Sequence, residues 1–528
     1  MTADHPASPP AHPATPPAHS ASPAAHPALP RAHAVSPLDL PPAPEPPAPV
    51  VDWHRLDVRM LVVRPLNEII NLVPVFLGLL VLGKGETWRV LTSVGVIVVI
   101  VLLGLLRWVT TRYRITADQV ELHTGLFVRK RLAVPRDRIR TVDLTAKLGH
   151  RVFGLSAIRV GTGQRDQPGE DGLTLDAVSS AEAERLRVLL LTQTAAPSAP
   201  REERPGTVLS ALDKRWLRYA PLTLSGLVAV GALFGLVTNY ARELDVEVLG
   251  PLTDAAHWVV EQPLWLTVSL FVGAVLVIAG VGSVLVYVVQ FWGYRLTREP
   301  DDTVRVQRGL LTTRSVSVAE QRLRGVEIEE PLLLRAGRGA HAKTVTTGLG
   351  RKGESNLLLP PAPVTEAHRV SALVLRQEDP PTRAPLRRHP VAALRRRLVR
   401  AVVPLLVVAA VLAYLAPPWA WVPVILLPLS ALLGWDRYRS LGHALTDRYL
   451  LARQGSIIRE TVALQRTGII GWRISRSFFQ RRSGLVTISA TTAAGDGVYH
   501  VVDVSEADGL ALAEEAVPDL LRPFLERG

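Results

Sequence analysis

Cysteine is absent from all 528 residues, which excludes disulfides, thiolate metal sites and a cysteine nucleophile. The absence leaves the compartment open, because proteins on either side of a membrane do without cysteine. Large apolar side chains are nearly missing from the first fifty residues, a run of Pro, Ala, Ser and His that we expect to be disordered with polyproline character. That segment has no charged stretch leading into an apolar one, so we do not read it as a secretory signal. Catalytic signatures are missing as well. There is no Gly-x-Ser-x-Gly elbow, Walker loop, His-Glu-x-x-His pair or closely spaced acidic metal cluster, so we expect no enzyme, no cofactor and no metal. His5, His12, His19, His26 and His33 recur every seven residues in the tail; we read them as a low-complexity repeat rather than a metal-binding tether.

What the chain does have is hydrophobicity in long runs. Six stretches, near 66–83, 88–109, 218–238, 264–291, 398–416 and 419–435, are long enough or nearly so to cross about 30 Å of hydrocarbon as helices. They fall into pairs separated by long hydrophilic segments. Arginines flank one end of each pair: Arg55, Arg59 and Arg64 before the first, Arg112 and Arg114 after it, Arg395, Arg396, Arg397 and Arg400 at the third, and Arg437 and Arg439 beyond it. The loop within the second pair is acidic, with Glu243, Asp245, Glu247, Asp254 and Glu261. Positive charge accumulates on the cytoplasmic side, which predicts that both termini and all large hydrophilic segments are cytoplasmic. The span centres carry no Asp, Glu, Lys, Arg or His, which argues against a proton- or ion-coupled transporter.

The hydrophilic segments repeat. Tyr113-Arg114-Ile115-Thr116 aligns with Tyr294-Arg295-Leu296-Thr297 and, less closely, with Ala444-Leu445-Thr446. Gly125, Gly309 and Gly455 follow in register, then Val134, Val318 and Leu464, then Ile139, Leu323 and Ile469. Period-two alternation, as in Val120-Glu121-Leu122-His123, predicts half-buried strands. Each segment should close with a helix, opened by Ser179 with Glu182, by Thr365, and by Ser505 with Asp508. Gly348-Leu349-Gly350-Arg351-Lys352-Gly353 matches a dinucleotide fingerprint, but no helix pattern follows it, so a glycine-rich hairpin loop is the better reading.

The order of hairpin, Tyr-Arg-(Ile/Leu)-Thr, Gly-Leu-(Phe/Leu), basic block and capped helix, three times over residues 60–528, resembles bacterial pleckstrin-homology-type membrane proteins of the YdbS/YdbT kind. The third copy departs by having His443 and Ala444 in place of Tyr-Arg. The resemblance implies a membrane α+β protein with three transmembrane helical hairpins, each followed by a cytoplasmic pleckstrin-homology-like (PH-like) small barrel or sandwich with a C-terminal helix. The expected layout is a tail at 1–50, hairpins at 51–110, 218–292 and 398–436, PH-like domains at 111–194, 293–378 and 437–528, and linkers at 195–217 and 379–397.

A net charge of +13 and a pI of about 10.4 call for an acidic partner, and the spans hold the basic regions beside phospholipid rather than nucleic acid. Candidate contacts for anionic lipid or a partner are Arg129, Lys130, Arg131, Arg138 and Arg140 in the first copy, Arg314, Arg322 and Arg324 in the second, and Arg466, Arg473, Arg481 and Arg482 in the third. Each basic side chain near an anionic surface is worth on the order of 1 kcal/mol, although the positive-inside bias alone would also place arginines there. The leading expectation is a non-enzymatic scaffold binding anionic lipid, partner proteins or further copies of itself, which the resemblance links to envelope stress or antimicrobial resistance. The alternative is an accessory subunit of a membrane export complex, with Gly273, Gly280 and Gly282 allowing close helix contact.

Overall fold

Strand pairing across repeat boundaries, more than any single domain, organises this molecule. The computed structural model describes residues 53–63, 111–116, 118–125, 130–161, 173–191, 206–223, 263–347 and 356–521, with scattered helical residues between them. The His-rich tail lies outside these, as do most of the spans expected near 66–83, 88–109 and 218–238.

The first repeat comprises β1 (His54–Arg55), β2 (Arg112–Ile115), β3 (Gln119–Thr124), β4 (Lys130–Pro135), β5 (Thr141–Ala146), α1 (Leu148–Val152), β6 (Leu155–Gly161), β7 (Thr174–Ser179) and α2 (Ser180–Leu191). The second runs through β8 (Thr207–Ala211), α3 (Leu264–Phe291), β9 (Arg295–Arg298), β10 (Thr303–Arg308), β11 (Thr313–Ala319), β12 (Leu323–Pro331), α4 (Leu332–Ala336), β13 (Gly339–Thr346), β14 (Leu357–Pro363) and α5 (Val364–Val374). The third has α6 (Val391–Leu415), α7 (Trp421–Arg439), β15 (Gly442–Leu445), β16 (Tyr449–Gln454), β17 (Ile458–Gln465), β18 (Gly471–Ser475), α8 (Phe478–Arg482), β19 (Leu485–Thr491), β20 (Val498–Ser505) and α9 (Glu506–Ala516). Three helices among the described residues are long and apolar enough to cross a membrane: Leu264–Phe291, Val391–Leu415 and Pro417–Arg439, with mean hydropathy 2.6, 2.4 and 1.5. The α6 helix begins at Val391 after Pro390, so Arg395, Arg396 and Arg397 sit in its first turns and not in a linker.

The alternating pattern acts locally as expected: Val120 and Leu122 are buried while Glu121 and His123 stay partly open. Gly125, Gly309 and Gly455 all turn at positive φ (113°, 110° and 97°), where a side chain would be strained. A Cβ on Gly309 or Gly455 would also collide with the carbonyl oxygen of Thr312 or Ile458. Tyr113, Tyr294 and His443 occupy one equivalent buried position, so the third copy's departure leaves the fold intact. Tyr294 donates its hydroxyl to the Leu358 carbonyl at 2.8 Å, whereas His443 pairs with His389 at 3.1 Å. The closing helices follow Ser179 and Ser505, which accept from the amides of Glu182 and Asp508. The second does not use Thr365; Pro363 precedes it and sets its entry angle without a side-chain cap.

The sheets are not confined to single repeats, which corrects the expectation of self-contained barrels. One seven-stranded sheet runs β7-β6-β5-β11-β10-β9-β8, and a six-stranded one runs β14-β13-β12-β17-β16-β15. In both, the first strand of one repeat's second sheet pairs antiparallel with the last strand of the next repeat's first sheet. Backbone groups left open at one repeat's edge thus find partners in the next. The core of the second repeat correspondingly includes Tyr449, Leu451 and Ala463 of the third. The strands β13 and β14 that flank the Gly348–Gly353 fingerprint pair antiparallel, consistent with a hairpin connection; the loop itself is outside the described residues.

Candidate functional site: a basic cavity beneath the third hairpin

The α6–α7 pair, at the place of the third hairpin expected from the sequence, is held together at its base by small residues. Gly434 of α7 lies against Ala401, where a Cβ would come within 3.1 Å, and Ser430 donates to the Ala401 carbonyl at 2.6 Å. The β16–β17 turn, Gly455-Ser456-Ile457, comes up beneath the hairpin, and Ser456 donates to Asp436 at 2.9 Å. Arg335 of the second repeat binds the same Asp436 carboxylate at 2.9 Å. Between the helix ends and this turn lies a cavity of about 780 Å³ lined by Arg397, Arg400 and Arg437 along with Ser430, Ser456, Ile457 and Glu460.

The electrostatics are lopsided. Arg397 is committed to the buried carboxylate of Asp503 at 3.0 Å, with Arg396 on its other oxygen at 2.6 Å. Arg400 and Arg437 are exposed and have no acidic partner among the described residues. Guanidinium forks match phosphate oxygens in shape and keep their charge at any physiological pH. Ile457 and Ile458 are exposed in the cavity wall, and elsewhere in the repeat Phe478 and Phe479 of α8 are exposed as well. Equivalent short helices expose Leu148 and Val152 in the first repeat and Leu332 and Leu333 in the second. The sequence showed Arg397, Arg400 and Arg437 only as topology markers. Their convergence depends on the β16–β17 turn reaching the hairpin, for which there is no local signal.

The twelve residues expected to contact lipid or a partner do not form one face. Arg129 lies outside the described residues, as does the side chain of Lys130. Arg131, Arg138, Arg473, Arg481 and Arg482 are exposed. Arg140, Arg322 and Arg324 gather at the seam between repeats, where burial and the two neighbouring guanidiniums lower the Arg140 pKa. Arg140 donates to Thr347 Oγ1 at 2.6 Å, and Arg322 to the Asp137 carbonyl at 3.4 Å. Arg314 faces Asp143 across that seam at 3.8 Å. Arg466 is structural: it donates to the Ala516 and Glu515 carbonyls at 2.7 and 2.5 Å, closing the C-terminus of α9. Of the glycines proposed for partner contact, Gly282 instead packs on Gly226 within the chain, while Gly273 and Gly280 have open space.

Long-range pairing also brings acidic side chains of two repeats together. Glu327 and Glu329 on β12 meet Glu460 on β17, their carboxylate oxygens within 4.8 Å of one another. His341, at 2.6 Å, and Lys343 bind Glu329 and hold its pKa down to about 2 against burial. Burial, with Glu329 nearby, pushes Glu327 up to about 8, so it holds a proton at neutral pH. The Lys343 charge and that proton offset much of the cluster's negative charge where β12 and β17 meet in the seam.

Comparison with known proteins agrees with this architecture. The model of the family described as Bacterial PH domain matches residues 68–194, 248–378 and 398–514, more than half of the chain. The chain belongs to the bacterial PH domain family. A Bacillus subtilis (strain 168) protein, the UPF0699 transmembrane protein YdbT, is 23% identical over 466 residues, covering 84% of this chain and 93% of its own length. Together with the three apolar helices, this makes the chain a membrane protein of the YdbS/YdbT-like group, with PH-like domains in three repeats.

Proposed function

We propose that this family member is a non-enzymatic membrane scaffold, anchored by three hairpins, whose cytoplasmic PH-like domains hold anionic phospholipid headgroups. The observation that carries this reading is the cavity under the third hairpin, where Arg400 and Arg437 form no ion pair among the described residues and Arg397 and Glu460 complete the charged lining. Its place where apolar helices give way to a polar domain supports the reading, because phospholipid headgroups lie at that boundary of a bilayer. The exposed apolar pairs on α1, α4 and α8 support a surface that rests on the bilayer. The arginine bias at the hairpin ends supports the cytoplasmic placement.

The test uses the full chain purified in mild detergent. Short-chain phosphatidylglycerol should raise its melting temperature above the value in matched phosphatidylcholine, and Arg400→Glu/Arg437→Glu should abolish the difference. Equal stabilisation by both lipids would overturn the lipid reading. Stabilisation by inorganic phosphate as large as that by phosphatidylglycerol would identify a free anion as the ligand instead.

A further inference from the structure

We infer that the chain associates head to tail with a second copy of itself, through antiparallel pairing of β18 in one copy with β4 in the next. The inference is independent of the headgroup reading, since it needs the sheet edges and not the cavity.

The argument rests on an interface the chain already uses twice. With Val134, Val318 and Leu464 aligned, β4, β11 and β17 are equivalent, as are β5, β12 and β18. The first repeat's β5 pairs with β11 of the second, placing Val142 opposite Ser317 and Asp143 opposite Val316. The second repeat's β12 pairs with β17 of the third, placing Val326 opposite Ala463 and Glu327 opposite Val462. These are the same aligned positions, so both junctions share one register. The series then runs out at both ends: β4 pairs only with β3, and β18 only with β19, among the described residues. They stand in separate sheets within one chain, so the next position in the series belongs to another copy. Joining the three-stranded β18-β19-β20 sheet to the four-stranded β1-β2-β3-β4 sheet would recreate the seven-stranded sheet of the first junction.

Exposure marks the unfilled positions. Leu132 on β4 is 37% exposed, while its equivalents Val316 and Val462 are each 5% exposed. Ile474 on β18 is 40% exposed, against 8% for Leu144 and 0% for Ile328. A basic residue on the edge does not bar pairing, because Arg314 occupies the Lys130 position inside a formed junction. An interface between two different surfaces repeats from copy to copy, giving a closed ring or an open row.

Transferring the register places Leu132 opposite Arg473 and Arg131 opposite Ile474. Directly opposed strand residues lie within disulfide reach, and the absence of native cysteine makes engineered thiols unambiguous. Differently tagged full-length Leu132→Cys and Arg473→Cys chains, mixed in membranes and oxidised, should give a mixed-tag dimer; the double variant should give a ladder. Leu132→Cys mixed with Leu311→Cys, an exposed position off the interface, should give at least tenfold less. If either thiol lowers the melting temperature, Arg131→Cys with Ile474→Cys replaces the pair. Equal cross-linking to Leu311→Cys would overturn the inference. So would an internally bridged monomer from the double variant, or no mixed dimer at all, as when another segment already covers either edge.

Discussion

Removing the Asp503 carboxylate should undock the third hairpin from its domain. Asp503 is wholly buried, and its Oδ1 accepts from Arg396 at 2.6 Å and from Gln480 at 2.9 Å. Its Oδ2 accepts from Arg397 at 3.1 Å, and its carbonyl lies 3.1 Å from His389 Nδ1. The residue also sits at φ 62°, a left-handed conformation that Asp and Asn tolerate and Ala does not. Asp503→Ala therefore leaves two guanidiniums, each 11% exposed, without a counter-charge and strains the strand. Breaking one side of a buried ion pair costs about 3–5 kcal/mol, and the backbone adds about 1 kcal/mol. Asp503→Asn keeps the shape and the conformation, so it should cost about half as much. For a unit of this size the Ala variant should melt roughly 10–15 °C lower, read from intrinsic tryptophan fluorescence of the full chain in detergent. Arg396→Leu added to Asp503→Ala should recover part of the loss, since it removes a charge the first change orphaned. An Asp503→Ala protein melting within about 2 °C of the parent would refute the claim that this carboxylate joins hairpin to domain.

Three further outcomes follow from the buried titrating groups and the structural arginine. His443, buried against His389 and Arg387, has its pKa lowered to about 4, so the stability it contributes is present above pH 6.5 and lost as pH falls towards 4. Thermal melts should show up to about 3 kcal/mol of acid sensitivity in that window, and His443→Gln should flatten it. Glu327 titrates the other way: its pKa of about 8 lies above the unfolded value, so its contribution is present below about pH 4.5 and lost as pH rises through 8. Melting temperatures measured from pH 6 to 9 should fall by roughly 5 °C, and Glu327→Gln should remove most of that fall. Arg466→Ala should destabilise the chain by about 2 kcal/mol through lost bonds to the α9 carbonyls, yet leave phosphatidylglycerol stabilisation unchanged.

Much of the local structure was legible because it is set by short-range rules. Alternation marked strands such as β3 and β10, positive-φ glycines marked the turns at 125, 309 and 455, and serines 179 and 505 marked two of the closing helices. The start of α6 was not legible: Arg395, Arg396 and Arg397 are good helix formers, and only Pro390 marks the entry. The candidate site was legible in composition but not in geometry. Arginine identity says nothing of whether a guanidinium closes a helix end, as Arg466 does, bridges a seam, as Arg140 does, or stays open, as Arg400 does. Those fates depend on which strand arrives opposite, and strand partners are chosen by long-range pairing.

That same long-range pairing changes what counts as a unit of this protein. A hairpin and its following domain look separable by sequence, because the repeat boundaries fall in polar segments. In the fold, β5 cannot keep its backbone partners without β11, nor β12 without β17. Excising one PH-like domain would open a strand of six or more residues to solvent and remove the ion pairs Arg305–Glu184 and Arg459–Glu330 that cross the seams. Cutting the second repeat out would open both of its junction edges at once, and such edges recruit other chains. Binding measured on an excised domain would then report adventitious edge pairing as well as any lipid contact. The meaningful comparison is between full-length variants, in which both internal junctions stay closed and, among the described residues, β4 and β18 are the junction strands left without a cross-repeat partner.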